Sequence, residues 1–197
     1  MKKICLLAAL LLANDSYSQK TNQPSTLYIT PQVGLLNGDH AVSAQVVLSG
    51  GMKTRTWSYG IGAGVDYYKI RSAPLFIELK KDFGRKEIPL FAYLQLGANI
   101  AWPLSSDYCE NVYSSWFGNT TTRFQSGMYR ELGIGYTGWY TKKKEVWISL
   151  GYSTKTMAEF YDELIYPDFP PYDRVTKTER KLAYTFNRLV LKIGCRL

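Results

Sequence analysis

The sequence predicts an all-β fold, an eight-stranded antiparallel up-and-down β-barrel that crosses a membrane with its strands. Three observations point there. Runs of ten to fifteen residues alternate apolar and polar side chains, glycines keep to the polar side of those runs, and the long connections all fall at one end. Bulk composition agrees. The chain has 197 residues, 46% hydrophobic and 15% aromatic, with 16 Tyr and 16 Gly, which excludes disorder, collagen and a coiled coil. Its mean hydropathy of −0.20 excludes a bundle of membrane helices but suits strands with one apolar and one polar face.

The chain opens with Met1-Lys2-Lys3 and an apolar run from Ile4 to Ala13, too short to span a bilayer but suited to a signal-peptide core. Ser16 and Ser18 supply small residues before a cleavage point at Gln19. Residues 1–18 are therefore expected to be an export signal, and 19–197 the barrel domain. Cys5 precedes most of the apolar run, which argues against a lipoprotein signal.

Eight strands follow, at about 27–36, 41–50, 55–68, 72–81, 88–101, 125–140, 145–156 and 181–196. The third is the clearest: Trp57, Tyr59, Ile61, Ala63, Val65 and Tyr67 oppose Ser58, Gly60, Gly62, Gly64 and Asp66. In the fifth, Leu90, Leu94 and Leu96 oppose Phe91, Tyr93 and Gln95; the sixth, seventh and eighth repeat the pattern. The first two strands are less regular. Pro31 lacks a donor that a closed barrel would use, and Val46-Val47-Leu48 blurs the second run.

Gly60, Gly62, Gly64, Gly97, Gly133, Gly135, Gly151 and Gly194 all sit on the polar face. A solvated face has no steric need of them, whereas the inside of a narrow barrel does. Asp66, Glu78, Lys80, Glu131, Lys155, Arg188 and Lys192 share that face and are expected in the barrel interior as structural charge pairs. The two long connections, about 102–124 and 157–180, are both odd-numbered, and the even ones are short. That parity fits external loops at one end and periplasmic turns and termini at the other. Trp57, Tyr59, Tyr136 and Tyr140 then form one interface girdle, and Tyr67, Trp102 and Tyr152 the other. Cys195 would face lipid and Cys109 lie in an external loop, so no disulfide is expected.

At this point the chain resembles the small outer-membrane barrels of the OmpA transmembrane-domain and OmpX type, and the single-domain "outer membrane protein β-barrel" proteins. The local resemblance is Pro74-Leu75-Phe76-Ile77-Glu78-Leu79-Lys80, a basic turn, then Ile88-Pro89-Leu90-Phe91 and Gln95-Leu96-Gly97. The alternating C-terminus ending in Leu197 is similar to the assembly signal of such barrels, which more often ends in an aromatic. The resemblance implies a fold, an outer-membrane location and a meeting with the outer-membrane assembly machinery, with no activity attached.

Chemistry is sparse. His40 is the one histidine, and with Asp39 and Ser43 it has the residue types of a lipid-modifying barrel enzyme. Alternation puts His40 and Ser43 on opposite faces, and an Asx-rich hairpin turn explains Asn37-Gly38-Asp39 as well. No zinc spacing, phosphate loop or paired-carboxylate motif occurs, so neither catalysis, cofactor nor metal is expected. The candidate binding surface is the aromatic content of the long loops: Tyr113, Trp116, Phe117, Phe160, Tyr161, Tyr166, Phe169 and Tyr172.

The expected role is structural or surface-interacting, with loops for adhesion or ligand binding. A narrow or gated small-solute channel and a soluble exported lipocalin-like barrel are the alternatives. Expected partners are outer-membrane lipid and lipopolysaccharide, and an extracellular protein or glycan. The formal net charge of +8 raises nucleic acid as a partner, but export and the barrel pattern argue against it. The barrel is expected to be monomeric.

Overall fold

The computed structural model describes residues 25–39, 41–83, 89–104, 120–141, 144–165 and 176–197. Every regular element among them is a strand: β1 (Thr26–Gly38), β2 (Ala41–Lys53), β3 (Trp57–Asp66), β4 (Ser72–Asp82), β5 (Leu90–Ala101), β6 (Thr120–Gln125), β7 (Gly127–Thr141), β8 (Lys144–Ile165) and β9 (Thr176–Arg196). All pairings are antiparallel, each stave pairs with the next, and β9 returns to β1 over Gln32–Asn37. The ring is a closed eight-stranded barrel, with β6 added outside it on β8.

The register fixes the shape. The row starting at Ile29 runs through Gly50, Ile61, Ile77, Leu96, Arg130, Thr154 and Asn187. Continued into β1 with the Val33–Ile193 register, it returns about ten residues higher than it began. A stagger of that size in eight strands tilts them by roughly 40°, inside the range for closed barrels. The bore is then narrow enough for side chains to fill.

Residue choice explains which face turns inward. Odd positions of β3 (Tyr59, Ile61, Ala63) face out, and even ones face the lumen, ending in the fully buried Asp66. The aromatic lumen residues meet glycines directly across the ladder: Phe76 opposite Gly62, Phe91 opposite Gly135, Tyr93 opposite Gly133 and Trp147 opposite Gly194. A Cβ added at any of these glycines would lie 2.2–2.7 Å from the ring facing it. The glycines leave room for flat rings laid against the neighbouring strand.

Several boundaries differ from the sequence reading. The connection expected at 102–124 contains β6, and most of the loop expected at 157–180 is strand, since β8 runs to Ile165 and β9 starts at Thr176. Phe160 and Tyr161 are therefore strand residues, paired with Lys181 and Arg180. The reason is that period-two alternation marks only the part of a strand between two different solvents. Beyond it, β8 and β9 still satisfy one another's backbone groups, with β6 as a third strand, and need no such pattern. The second strand, expected to end at 50, runs on to Lys53, and Gly51 within it packs against the backbone of Tyr59 and Gly60.

The two irregular strands are also resolved. Val47 points inward against Phe76 and Tyr129, while Val46 and Leu48 point out. Ile29 and Leu197 exchange both backbone bonds, so Pro31, two residues on, turns its nitrogen toward β9 at the closing seam. The missing donor thus falls just below the continuous β1–β9 ladder, which begins at Gln32.

Candidate functional site

Three layers of charge fill the lumen. At the end remote from the termini, Arg188 Nη1 is in direct contact with Asp66 Oδ2, and Nη2 donates to Ser153 Oγ at 2.8 Å. Lys155 Nζ lies 3.3 Å from Asp66 Oδ1 and donates to the carbonyls of Tyr68 and Ile70, both at 2.8 Å, and to Ser72 Oγ at 3.1 Å. The backbone N–H of Tyr68 donates to Asp66 Oδ1 at 2.8 Å. These bonds draw the β3–β4 turn into the barrel mouth, where the Tyr68 ring is buried over Leu36 and Val190. Lys69 adopts a left-handed backbone (φ 59°) to make the turn. Burial, and then the Asp39 carboxylate, push the Tyr68 phenol above its usual pKa.

In the middle layer, Glu131 Oε1 accepts from Lys192 Nζ at 2.6 Å and Tyr93 OH at 2.8 Å, and its Oε2 from Tyr129 OH at 2.6 Å. Lys192 also reaches Gln95 Oε1 at 3.3 Å, and Gln95 Nε2 donates to Glu78 Oε2 at 2.6 Å. At the terminal end, Glu145 accepts from Arg196 at 2.6 Å and from Lys53 at 3.0 Å, and Lys53 lies 3.1 Å from Asp82. Lys80 sits 3.4 Å over the Phe91 ring and 5.0 Å from Trp147. The space between these last two layers is about 10 Å³, room for no more than one water.

Each of the seven interior charges named from the sequence is thus buried, and six of them have a hydrogen-bonded or ionic partner; Lys80 meets the two aromatic rings. Sequence reasoning missed the layer of Lys53, Asp82, Glu145 and Arg196. These residues lie at strand ends, where alternation is already fading, and only the register brings them together.

The outer wall is the reverse. Leu27, Ile61, Ile134 and Val42 are more than 60% exposed, whereas Arg188, Lys155 and Lys192 are at most 1% exposed. Tyr59, Tyr67, Trp102, Tyr136 and Tyr152 are exposed on that wall, and Trp57 stacks on Tyr59 at 6.3 Å beneath Lys81. The Tyr140 side chain lies outside the described residues, as do His40, Cys109 and, of the loop aromatics, Tyr113, Trp116, Phe117, Tyr166, Phe169 and Tyr172. Cys195 is free and partly exposed. A shallow apolar trough of about 710 Å³ crosses the outer wall where Gly50 and Ala63 lie among Ile29, Leu48, Ile61 and Ile77. Asp39 is exposed, 3.9 Å from Lys69. No cluster of metal-binding side chains occurs among the described residues.

Beyond the mouth, β6, β8 and β9 continue as a three-stranded ledge. On its outward side Arg123 lies 4.3 Å over the Phe160 ring, with Lys181 at 5.5 Å, and Arg123 donates to Glu179 at 3.2 Å. On its lumenal side Tyr184 OH donates to Glu159 Oε2 at 2.7 Å.

Comparison with known proteins returns architecture alone. No family model and no curated protein sequence matches the chain. Among solved structures it is similar to the outer membrane protein OprG from Pseudomonas aeruginosa, at 14% identity and a TM-score of 0.47, over 87% of this chain and 95% of that one. It is also similar to the outer membrane protein AlkL studied in lipid bilayers, at 11% identity and a TM-score of 0.43, over 93% of this chain and 95% of that one. The barrel assignment rests on the closed strand pairing itself.

Proposed function

We propose that the chain is an exported barrel of a bacterial outer membrane whose role is structural or surface-interacting, carried by the ledge and loops above a closed lumen, and not enzymatic. One observation carries this reading: the burial pattern is inverted relative to a soluble protein. A water-facing wall of Leu27, Ile61 and Ile134 enclosing dehydrated Arg188, Lys155 and Lys192 would be unstable, whereas in a bilayer the wall meets lipid and the charges meet each other. The same burial argues against a soluble lipocalin-like barrel, whose apolar face lines its cavity.

The layered plug argues against a diffusion pore. Its six cations, Lys53, Lys80, Lys155, Arg188, Lys192 and Arg196, exceed its five carboxylates, Asp66, Glu78, Asp82, Glu131 and Glu145, by one, so it is the packing of the plug and not its charge that stands against conduction. A gated small-solute channel is the second reading, favoured by the turn at 67–71, which is held in the mouth largely by Lys155. The test joins fractionation and protease treatment of intact cells with planar-bilayer recording of the purified barrel. We expect outer-membrane recovery, cleavage only at the connections after β5 and β8, and no single-channel steps. Recovery in the soluble periplasm overturns the reading; reproducible steps replace it with the channel.

A further inference from the structure

We propose that the periplasmic half of the outer wall, from Gly50 and Ala63 down to Arg55 and Lys81, seats one anionic diacyl phospholipid. The inference rests on the outer-membrane orientation above. The trough of about 710 Å³ opens where Gly50 on β2 and Ala63 on β3 interrupt the large residues of the wall. A Cβ at Gly50 would meet nothing closer than the Tyr28 carbonyl oxygen at 3.4 Å, and no glycine among the described residues has a positive φ. Neither packing within the chain nor backbone conformation thus asks for glycine there, although glycine weakens a strand. A hollow of about 500 Å³ adjoins the trough, shares Ile29 and Gly50 with it, and reaches Leu27 and Leu197 toward the periplasmic rim. The two hollows place two acyl chains on either side of Met52, which is half exposed and opposite both Leu27 and Tyr59 in the ladder.

Depth and charge select the lipid. Ile61 lies four residues up β3 from Trp57, about 13 Å along a strand. At the barrel's tilt that is about 10 Å inward from the interface girdle, within the roughly 15 Å of one leaflet. The chains therefore enter from the periplasmic side, and their headgroup lies at the turn between β2 and β3. Among the described residues, two cations there have no carboxylate partner. Arg55 is exposed at the tip of the turn, which the Thr54 N–H closes by donating to the Trp57 carbonyl at 2.8 Å. Lys81 stands opposite Trp57 in the ladder, and its ammonium lies 4.5 Å over that ring. Lys53, nearby on β2, is instead spent on Asp82 and Glu145 in the plug. A phosphodiester of net negative charge supplies the counter-charge that Arg55 and Lys81 lack, with Trp57 and Tyr59 at the level of its glycerol. A zwitterionic headgroup brings its own cation to the same place and gains less. A second copy of the chain packed here about a two-fold axis would bring like cations together.

The experiment takes the purified full-length barrel, delipidated in detergent and verified as folded by heat-modifiable gel migration, and adds phosphatidylglycerol or phosphatidylcholine with identical chains for native mass spectrometry. One retained phosphatidylglycerol per barrel is expected, with phosphatidylcholine held about tenfold more weakly. Gly50→Leu and Ala63→Leu, which fill the hollows without touching the plug, should each weaken retention of both lipids. The double variant Arg55→Gln/Lys81→Gln should remove the preference for phosphatidylglycerol and leave phosphatidylcholine retention as it was. The inference is overturned if folded protein keeps no lipid, if it keeps several of either kind without preference, if the trough variants retain lipid as the parent does, or if Gly50→Leu removes a second copy of the chain in place of a lipid. Fractionation is read separately, so a failed lipid measurement on protein recovered from the outer membrane strikes this inference alone, and recovery in the soluble periplasm removes both readings.

Discussion

Gly135→Ala tests the inward register more directly than any charge substitution. The methyl would lie 2.2 Å from Phe91 Cζ and 2.7 Å from both Cε atoms, so the ring must withdraw by about 1.2 Å to reach an ordinary 3.4 Å contact. It cannot withdraw freely, because Lys80 Nζ lies 3.4 Å over the same ring and Trp147 packs edge-on at 5.5 Å. Overpacking of this kind costs about 1–3 kcal/mol. The control is Gly138→Ala on the same strand, whose nearest neighbour would be Tyr136 at 3.5 Å; it should be neutral or slightly stabilising. Phe91→Leu, which relieves the clash, should cost less than about 1.5 kcal/mol alone, and the double variant less than the sum of the singles. Reversible urea unfolding in detergent, followed by tryptophan fluorescence, measures all four proteins. A neutral Gly135→Ala, a costlier Gly138→Ala, or strict additivity with Phe91→Leu would refute the assignment of faces.

Three further outcomes follow from the lumen and the wall. Asp66→Asn leaves Arg188 and Lys155 buried without their shared counter-charge and should destabilise by about 3–5 kcal/mol, read in the same unfolding experiment. Lys155→Met should release the turn it holds while Arg188 still neutralises Asp66; amide exchange should quicken at Lys69 and Ile70 far more than at Ser149 or Gln95. In a Cys109→Ser background, a fluorophore on Cys195 should be quenched by lipid-borne spin labels and not by a water-soluble quencher, whereas the opposite pattern would place the C-terminal strand away from lipid.

How much of this was legible in the sequence depended on where each residue stands between its two environments. Inside the belt, period-two alternation is forced by lipid on one side and a narrow bore on the other, so Ile61 and Gly62 reveal their directions from composition. The glycine register was legible for the same reason. Its partners were not: that Phe91 covers Gly135, or Trp147 covers Gly194, depends on strand stagger, which no local pattern encodes. The charges of β3, β4, β7, β8 and β9 could be placed in the interior, but not the pairing of Asp66 with both Arg188 and Lys155. Above the rim the alternation signal ends, so local pattern alone makes the ledge a loop and Phe160 and Tyr161 loop residues. Pro31 looked anomalous until the closing seam showed which neighbour its missing donor faced.

The plug bears on where function can reside. A barrel of this stagger encloses little more than its own side chains, and here their polar groups are largely spent on one another: Glu131 takes three donors, and Lys155 gives to three acceptors beside Asp66. A solute could pass only by breaking such contacts, each break exposing a charge with no partner in a dry interior. Acyl-chain contacts along the wall are non-directional and offer little selectivity. What the chain adds beyond the needs of closure is therefore the ledge, where β8 and β9 continue through water and carry rings and carboxylates that the barrel does not require. Shortening that hairpin separates the two roles: replacing 157–184 with a tight turn removes Glu159 and Tyr184 and should leave heat-modifiable folding intact, since every plug residue lies below the cut, while abolishing whatever that surface binds. Loss of folding in that variant would mean that the ledge is needed to build the barrel, and the division of labour argued here would fall.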